Sequence, residues 1–120
     1  MRNLWGAVAI LLLLAAPAEA SNLYIREYRS IALVNTSQAQ IAPEPGTDQA
    51  VVSFAAGTAS SAAFASTTKV VRIICDAQCS VLFGPSGSTT ATNANSFLAA
   101  GVPEYFAVQP GQIVSVHSNP

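Results

Sequence analysis

The sequence predicts an all-β fold, a small antiparallel β-sandwich of jelly-roll-like form preceded by an N-terminal hydrophobic signal helix, and three observations lead there. From Asn22 onward β-branched and aromatic residues dominate short runs. Gly, Pro, Ser and Asn clusters interrupt those runs, and no segment sustains an apolar period of 3.6. With 120 residues, 51% hydrophobic and 9% charged, the chain has room for one core.

The first twenty residues read differently from the rest. Arg2 precedes an uncharged run from Leu4 to Ala16 that includes Leu11-Leu12-Leu13-Leu14, followed by Pro17 and Ala18-Glu19-Ala20. This is the three-part pattern of a secretory signal peptide, with small residues where the peptidase requires them. The division is therefore a signal peptide over 1–20 and a β-sandwich domain over 21–120, with cleavage between Ala20 and Ser21. The apolar run is shorter than the roughly 17 to 25 residues a spanning helix needs, so no stable membrane span is expected after cleavage. An uncleaved interfacial helix and a start codon placed too early are the alternatives.

Strands are expected at 23–30, 39–42, 50–54, 62–66, 69–75, 79–83, 96–99, 104–108 and 112–117. The small-residue stretch 57–61 and the polar stretch 84–95 are expected to be loops. Gln109-Pro110-Gly111-Gln112 has Pro and Gly at the second and third positions of a type II turn. Such turns fit tight two-residue hairpins poorly, which points to a corner between strands.

The run from Val71 to Phe83 is the most informative local pattern. If Cys75 faces Cys79 across a hairpin, Ile73 falls opposite Val81 and Val71 opposite Phe83. Strand alternation then makes one face wholly of Val71, Ile73, Cys75, Cys79, Val81 and Phe83. Ile74 and Leu82 fall on the other face and need a second layer or a neighbouring subunit to cover them. In an exported chain two cysteines point to a disulfide between Cys75 and Cys79, with two buried free thiols as the alternative. The C-x-x-x-C spacing is not that of thioredoxin-like sites, and one His among scattered carboxylates does not complete a zinc shell, so neither a metal nor another cofactor is expected.

No catalytic constellation emerges, and the chain is read as a non-enzyme. His117, the single imidazole, lies near the end of the last expected strand. Gly84-Pro85-Ser86-Gly87-Ser88 departs from the nucleophile elbow at its final position and precedes no helical pattern. Glu44, Asp48 and Glu104 have no partner at a defined spacing. The formal net charge is −1, and charges of both signs are scattered without a basic run, which argues against nucleic acid as a partner. Low charge also leaves little repulsion between copies. Tyr24 and Tyr28 oppose Leu23 and Ile25 in strand parity, and Tyr105 opposes Phe106. With Ile74 and Leu82 these tyrosines are the candidate interface residues, the simpler reading being that they cover the edge of the second sheet.

Three segments carry a family resemblance: Asn22-Leu23-Tyr24-Ile25-Arg26-Glu27-Tyr28, Gln40-Ile41-Ala42-Pro43-Glu44-Pro45, and Val70 through Gly84. With the closing stretch Phe97 to Val108 and Pro110-Gly111-Gln112-Ile113-Val114-Ser115-Val116, they resemble a group of small tailed-bacteriophage virion proteins. The resemblance implies a head-decoration or accessory structural protein that packs on copies of itself or on a capsid lattice, with no chemistry to transfer. The export signal departs from that pattern, since phage particles assemble in the cytoplasm. A location in the virion is expected if the chain is phage-encoded, and otherwise a secreted or periplasmic one, where a β-sandwich binding module is the alternative function.

Overall fold

The computed structural model describes residues 21–34, 37–38 and 42–120. The expected signal segment, with Ala20, and positions 39–41 of an expected strand lie outside the described residues. Among the described residues eleven strands follow one another: β1 Asn22–Tyr28, β2 Leu33–Val34, β3 Ser37–Gln38, β4 Thr47–Asp48, β5 Val52–Ser53, β6 Thr58–Ser60, β7 Val70–Cys75, β8 Cys79–Pro85, β9 Ser96–Leu98, β10 Glu104–Ala107 and β11 Gln112–Ser118.

They form two principal antiparallel sheets. One has the order β10-β7-β1-β4, with β5 also on β1, and the other the order β6-β11-β8-β9; β2 and β3 pair separately. β4 and β5 occupy the same side of β1, pairing at Arg26–Glu27 and at Asn22–Leu23, so together they act as one interrupted edge. Alternation along β1 and β7 turns Leu23, Ile25, Val71, Ile73 and Cys75 inward. Cys79, Val81, Leu98, Val114 and Val116 of the second sheet meet them in a single buried cluster, giving a two-layer, sandwich-like arrangement. Phe83 and Phe106 meet across the layers with ring centroids 4.9 Å apart, and Phe64 lies 6.3 Å from Phe83.

The expected hairpin between the two cysteine-bearing runs is not formed. β7 pairs with β1 and β10, so Ile73 faces Ile25 and Glu104. β8 pairs with β11 and β9, so Val81 faces Val116 and Ser96. Asp76-Ala77-Gln78 carries the chain from one sheet to the other, and Cys75 and Cys79 join the layers at that corner, with Cα atoms 6.4 Å apart. The apolar stripe survives because a crossover and a hairpin send the same alternate residues inward. Val71, Ile73, Cys75, Cys79 and Val81 are all buried, on two facing sheets. Removing the bridge by Cys75→Ala with Cys79→Ala is expected to cost about 2 kcal/mol through chain entropy. Thermal melts with and without reductant check this, since only the wild type should respond to reduction.

Two further expectations change. Residues 62–66 form no strand, and the neighbouring stretch expected to be a loop supplies β6, which pairs with β11 from Ser115 to His117. At 39–42 the described residue, Ala42, lies outside any strand. The Pro110-Gly111 turn behaves as expected: Gly111 has φ 78°, and the Gln112 N–H donates to the Gln109 carbonyl at 3.2 Å. It is a corner, because β10 and β11 belong to different sheets.

Candidate functional site

The two outer faces differ in how they are covered. On the β6-β11-β8-β9 sheet, Ser80, Ile113 and Ser115 point away from the core yet are buried. The stretch 85–95 folds over them: the Ala91 N–H donates to Ser115 Oγ at 2.8 Å, and Asn119 Nδ2 donates to Ser80 Oγ at 2.7 Å and to the Asn93 carbonyl at 3.3 Å. Gly84 allows this approach, since a Cβ there would run into the Thr89 hydroxyl. Leu82 pairs opposite Ser115 on this covered face and is half-buried. The polar stretch that follows β8 is therefore a cover.

The outer face of the five-stranded sheet carries the other four candidate interface residues. Cross-strand register places Tyr24 beside Ile74, Arg26 beside Arg72, and Tyr28 beside Val70. Tyr105 lies on the far side of Arg72, and Asp48 on the far side of Arg26. Tyr24, Val51 and Tyr105 are 45%, 53% and 49% exposed, and Ile74 is half-buried between strands. A cleft of about 300 Å³ opens between Tyr24, Val51, Arg72 and Ile74. Tyr28 departs from expectation: it is buried, because its ring packs 6.5 Å from that of Tyr105 and its hydroxyl donates to Glu44 Oε1 at 2.8 Å.

Glu44 organises one end of this face. Its carboxylate accepts from Arg26 Nη2 at 2.7 Å, from the Gly46 N–H at 2.8 Å and from Tyr28. Arg26 also holds both oxygens of Asp48, at 2.8 and 2.9 Å. Arg26 above all, then the Gly46 N–H and Tyr28, hold the Glu44 carboxyl down to about 2. Burial, with the Glu44 carboxylate behind it, pushes the Tyr28 phenol above its ordinary value. Arg72, opposite Arg26, makes no ion pair among the described residues. One guanidinium thus holds two carboxylates while its neighbour holds none.

The depressed Glu44 value has a stability consequence whose sign follows from linkage. An unfolded Glu titrates near about 4.3, so the stabilisation is complete above that pH and is lost as the pH falls toward about 2. The melting temperature of the wild type should fall more steeply over that window than that of Glu44→Gln. Equal slopes would refute the assignment.

His117 Nδ1 lies 2.6 Å from Thr58 Oγ1 on the rim of the second sheet. No three His, Cys, Asp or Glu side chains come together in a metal-holding group among the described residues. The carboxylate that sequence reading passed over is Glu27, which strand parity places inward with Leu23 and Ile25. It accepts from Gln49 Nε2 at 3.0 Å, the Ala65 N–H at 2.9 Å and Thr68 Oγ1 at 2.5 Å, a structural role at the edge of the core. Parity was the available signal for it. Glu44 gave no such signal, because its side-chain partners Tyr28 and Arg26 lie sixteen and eighteen residues away in sequence. Compared with known protein families, curated proteins and solved structures, the chain matches none.

Proposed function

We propose that this chain is a non-catalytic structural protein that packs the outer face of its five-stranded sheet against protein neighbours, in the manner of the phage virion accessory or decoration proteins its sequence resembles. The observation that carries the reading is the asymmetry of the two outer faces. The centre of one is covered by the chain's own 85–95 stretch, whereas the other presents Tyr24, Val51, Tyr105 and Ile74 to solvent. Aromatic rings with a guanidinium among them are the composition favoured at the centre of protein interfaces.

Strand order supports the jelly-roll-like form of this reading. From the β4/β5 edge to β11 the chain changes layer at every connection except β8 to β9, and β1 fills the column between β7 and that edge. Jelly rolls recur in viral capsid domains and in lectins, so the architecture is compatible with both functions under consideration. The cleft beside Tyr24 is what favours the second, a secreted or periplasmic binding module.

Substitution on the two faces separates the readings. Tyr24→Glu and Tyr105→Glu should reduce incorporation into the particle or surface assembly of the source while leaving the β-type circular dichroism spectrum unchanged. Leu82→Glu should instead lower the melting temperature, since Leu82 lies on the covered face. Normal incorporation of both tyrosine variants would overturn the packing reading, and tyrosine fluorescence quenched by a soluble sugar in a monomer would favour the binding module.

A further inference from the structure

The neighbour that fits the exposed face is named by the distribution of groups on it. Three columns run side by side, with β1 in the centre, β7 on one flank and the β4/β5 edge on the other. In one row, Ile74 lies beside Tyr24 on β7, and Val51 borders the same cleft from the opposite flank. In the next row, Arg72, Arg26 and Asp48 follow in register. The first row is apolar throughout. The second has a cation without an acid on one flank and an acid on the other, and the Glu44 and Asp48 side chains remain 57% and 67% exposed although both bind Arg26.

We infer that the partner of this face is a second copy of the chain, docked face to face about a two-fold axis lying along β1. The inference rests on the packing reading and deepens it. Rotation about that axis exchanges the flanks, so Ile74 of one copy meets Val51 of the other and Arg72 meets Asp48, each contact occurring twice as an isologous interface requires. Tyr24 falls on the axis and packs on its own counterpart. Arg26 also falls on the axis, where two bare guanidinium groups would repel each other; the two carboxylates already bound to each Arg26 remove that obstacle. This gives the uneven sharing of acids between Arg26 and Arg72 a purpose. A formal net charge of −1 adds little long-range repulsion between copies. Among the described residues no other face complements itself in this way: the centre of the other sheet's outer face is covered, and Phe97, exposed at its β9 edge, has no apolar partner row.

The symmetry gives a charge-exchange test. Sedimentation equilibrium of the purified wild type should show a monomer–dimer equilibrium. Arg72→Glu and Asp48→Lys should each weaken it at least about tenfold, since each sets like charges against each other twice. Mixing the two variants should restore dimers, seen by native mass spectrometry as a heterodimer, because a Glu at position 72 then meets a Lys at position 48 while the native Asp48 and Arg72 of the two chains meet on the other flank. Circular dichroism verifies that each variant folds. Val51→Glu, at an exposed position outside the ion pairs, should also weaken the dimer and replaces Asp48→Lys as evidence if that variant misfolds. Wild-type dimers that survive Arg72→Glu, or folded variants that stay monomeric on mixing, would overturn the proposed geometry and leave packing by another route intact. A wild type that is monomeric throughout but present in an assembly would overturn self-association alone. A monomer absent from every assembly would overturn both readings.

Discussion

Phe54→Ala should lower the unfolding free energy by about 3 to 5 kcal/mol, a large share of the roughly 5 to 15 kcal/mol that holds a domain of this size together. Phe54 follows β5, is completely inaccessible, and belongs to the cluster that joins the two sheets. Its backbone is fixed on both sides: its N–H donates to the Ser21 carbonyl at 2.8 Å, and its carbonyl accepts from the Gly57 N–H at 2.9 Å. The site is therefore poorly able to collapse around a smaller side chain, which places the cost at the upper end of the range. Denaturant unfolding monitored by circular dichroism measures it. Phe97→Ala serves as the control, because that ring is half exposed and its loss should change stability by no more than about 0.5 kcal/mol. Equal effects at the two positions would mean that the two-sheet core is wrongly assigned.

The second large effect is electrostatic in origin and local in reach. Glu27→Ala should cost about 2 to 3 kcal/mol, because Gln49, Ala65 and Thr68 all lose the acceptor that joins them to β1. Glu27→Gln should recover part of that loss, since its carbonyl oxygen still accepts while its amide adds a donor among donors. Hydrogen exchange identifies the cause: the Ala65 amide should lose protection in Glu27→Ala, while amides in the middle of β11 remain slow. Uniform loss of protection would show a global defect in place of a released segment.

Much of this fold was legible in the sequence because β-strands announce themselves through alternation. Val71, Ile73, Cys75, Cys79 and Val81 share one face by alternation and all lie inward, and Leu23 and Ile25 lie on the face opposite Tyr24. What alternation does not declare is the partner of a strand. Asp76-Ala77-Gln78 is short enough for a hairpin and equally able to carry the chain between sheets, and both outcomes bury the same alternate residues, so the pairing of Val71 to Phe83 was underdetermined. β6 escaped notice because Thr58-Ala59-Ser60 has little apolar character and is held by β11. On the exposed face, three of the four candidate residues found there remain accessible or half-accessible. Tyr28 does not, since its cover comes from Glu44 across a connection whose return to β1 no local pattern records.

The place of β1 bears on how the molecule comes into being. The first strand of the described domain occupies the middle of its sheet, flanked by β7 and by the β4/β5 edge. As a nascent chain emerges, β1 has no sheet partner until residues 47–53 have appeared, and it is enclosed only after residues 70–75 follow. Order of synthesis and order of assembly are thus opposed, so the contacts that complete the centre of this sheet are long-range ones. The central place of β1 also leaves little tolerance for loss of its residues. Truncation that reached Leu23 or Ile25 would empty a central column of the sheet instead of shortening an edge.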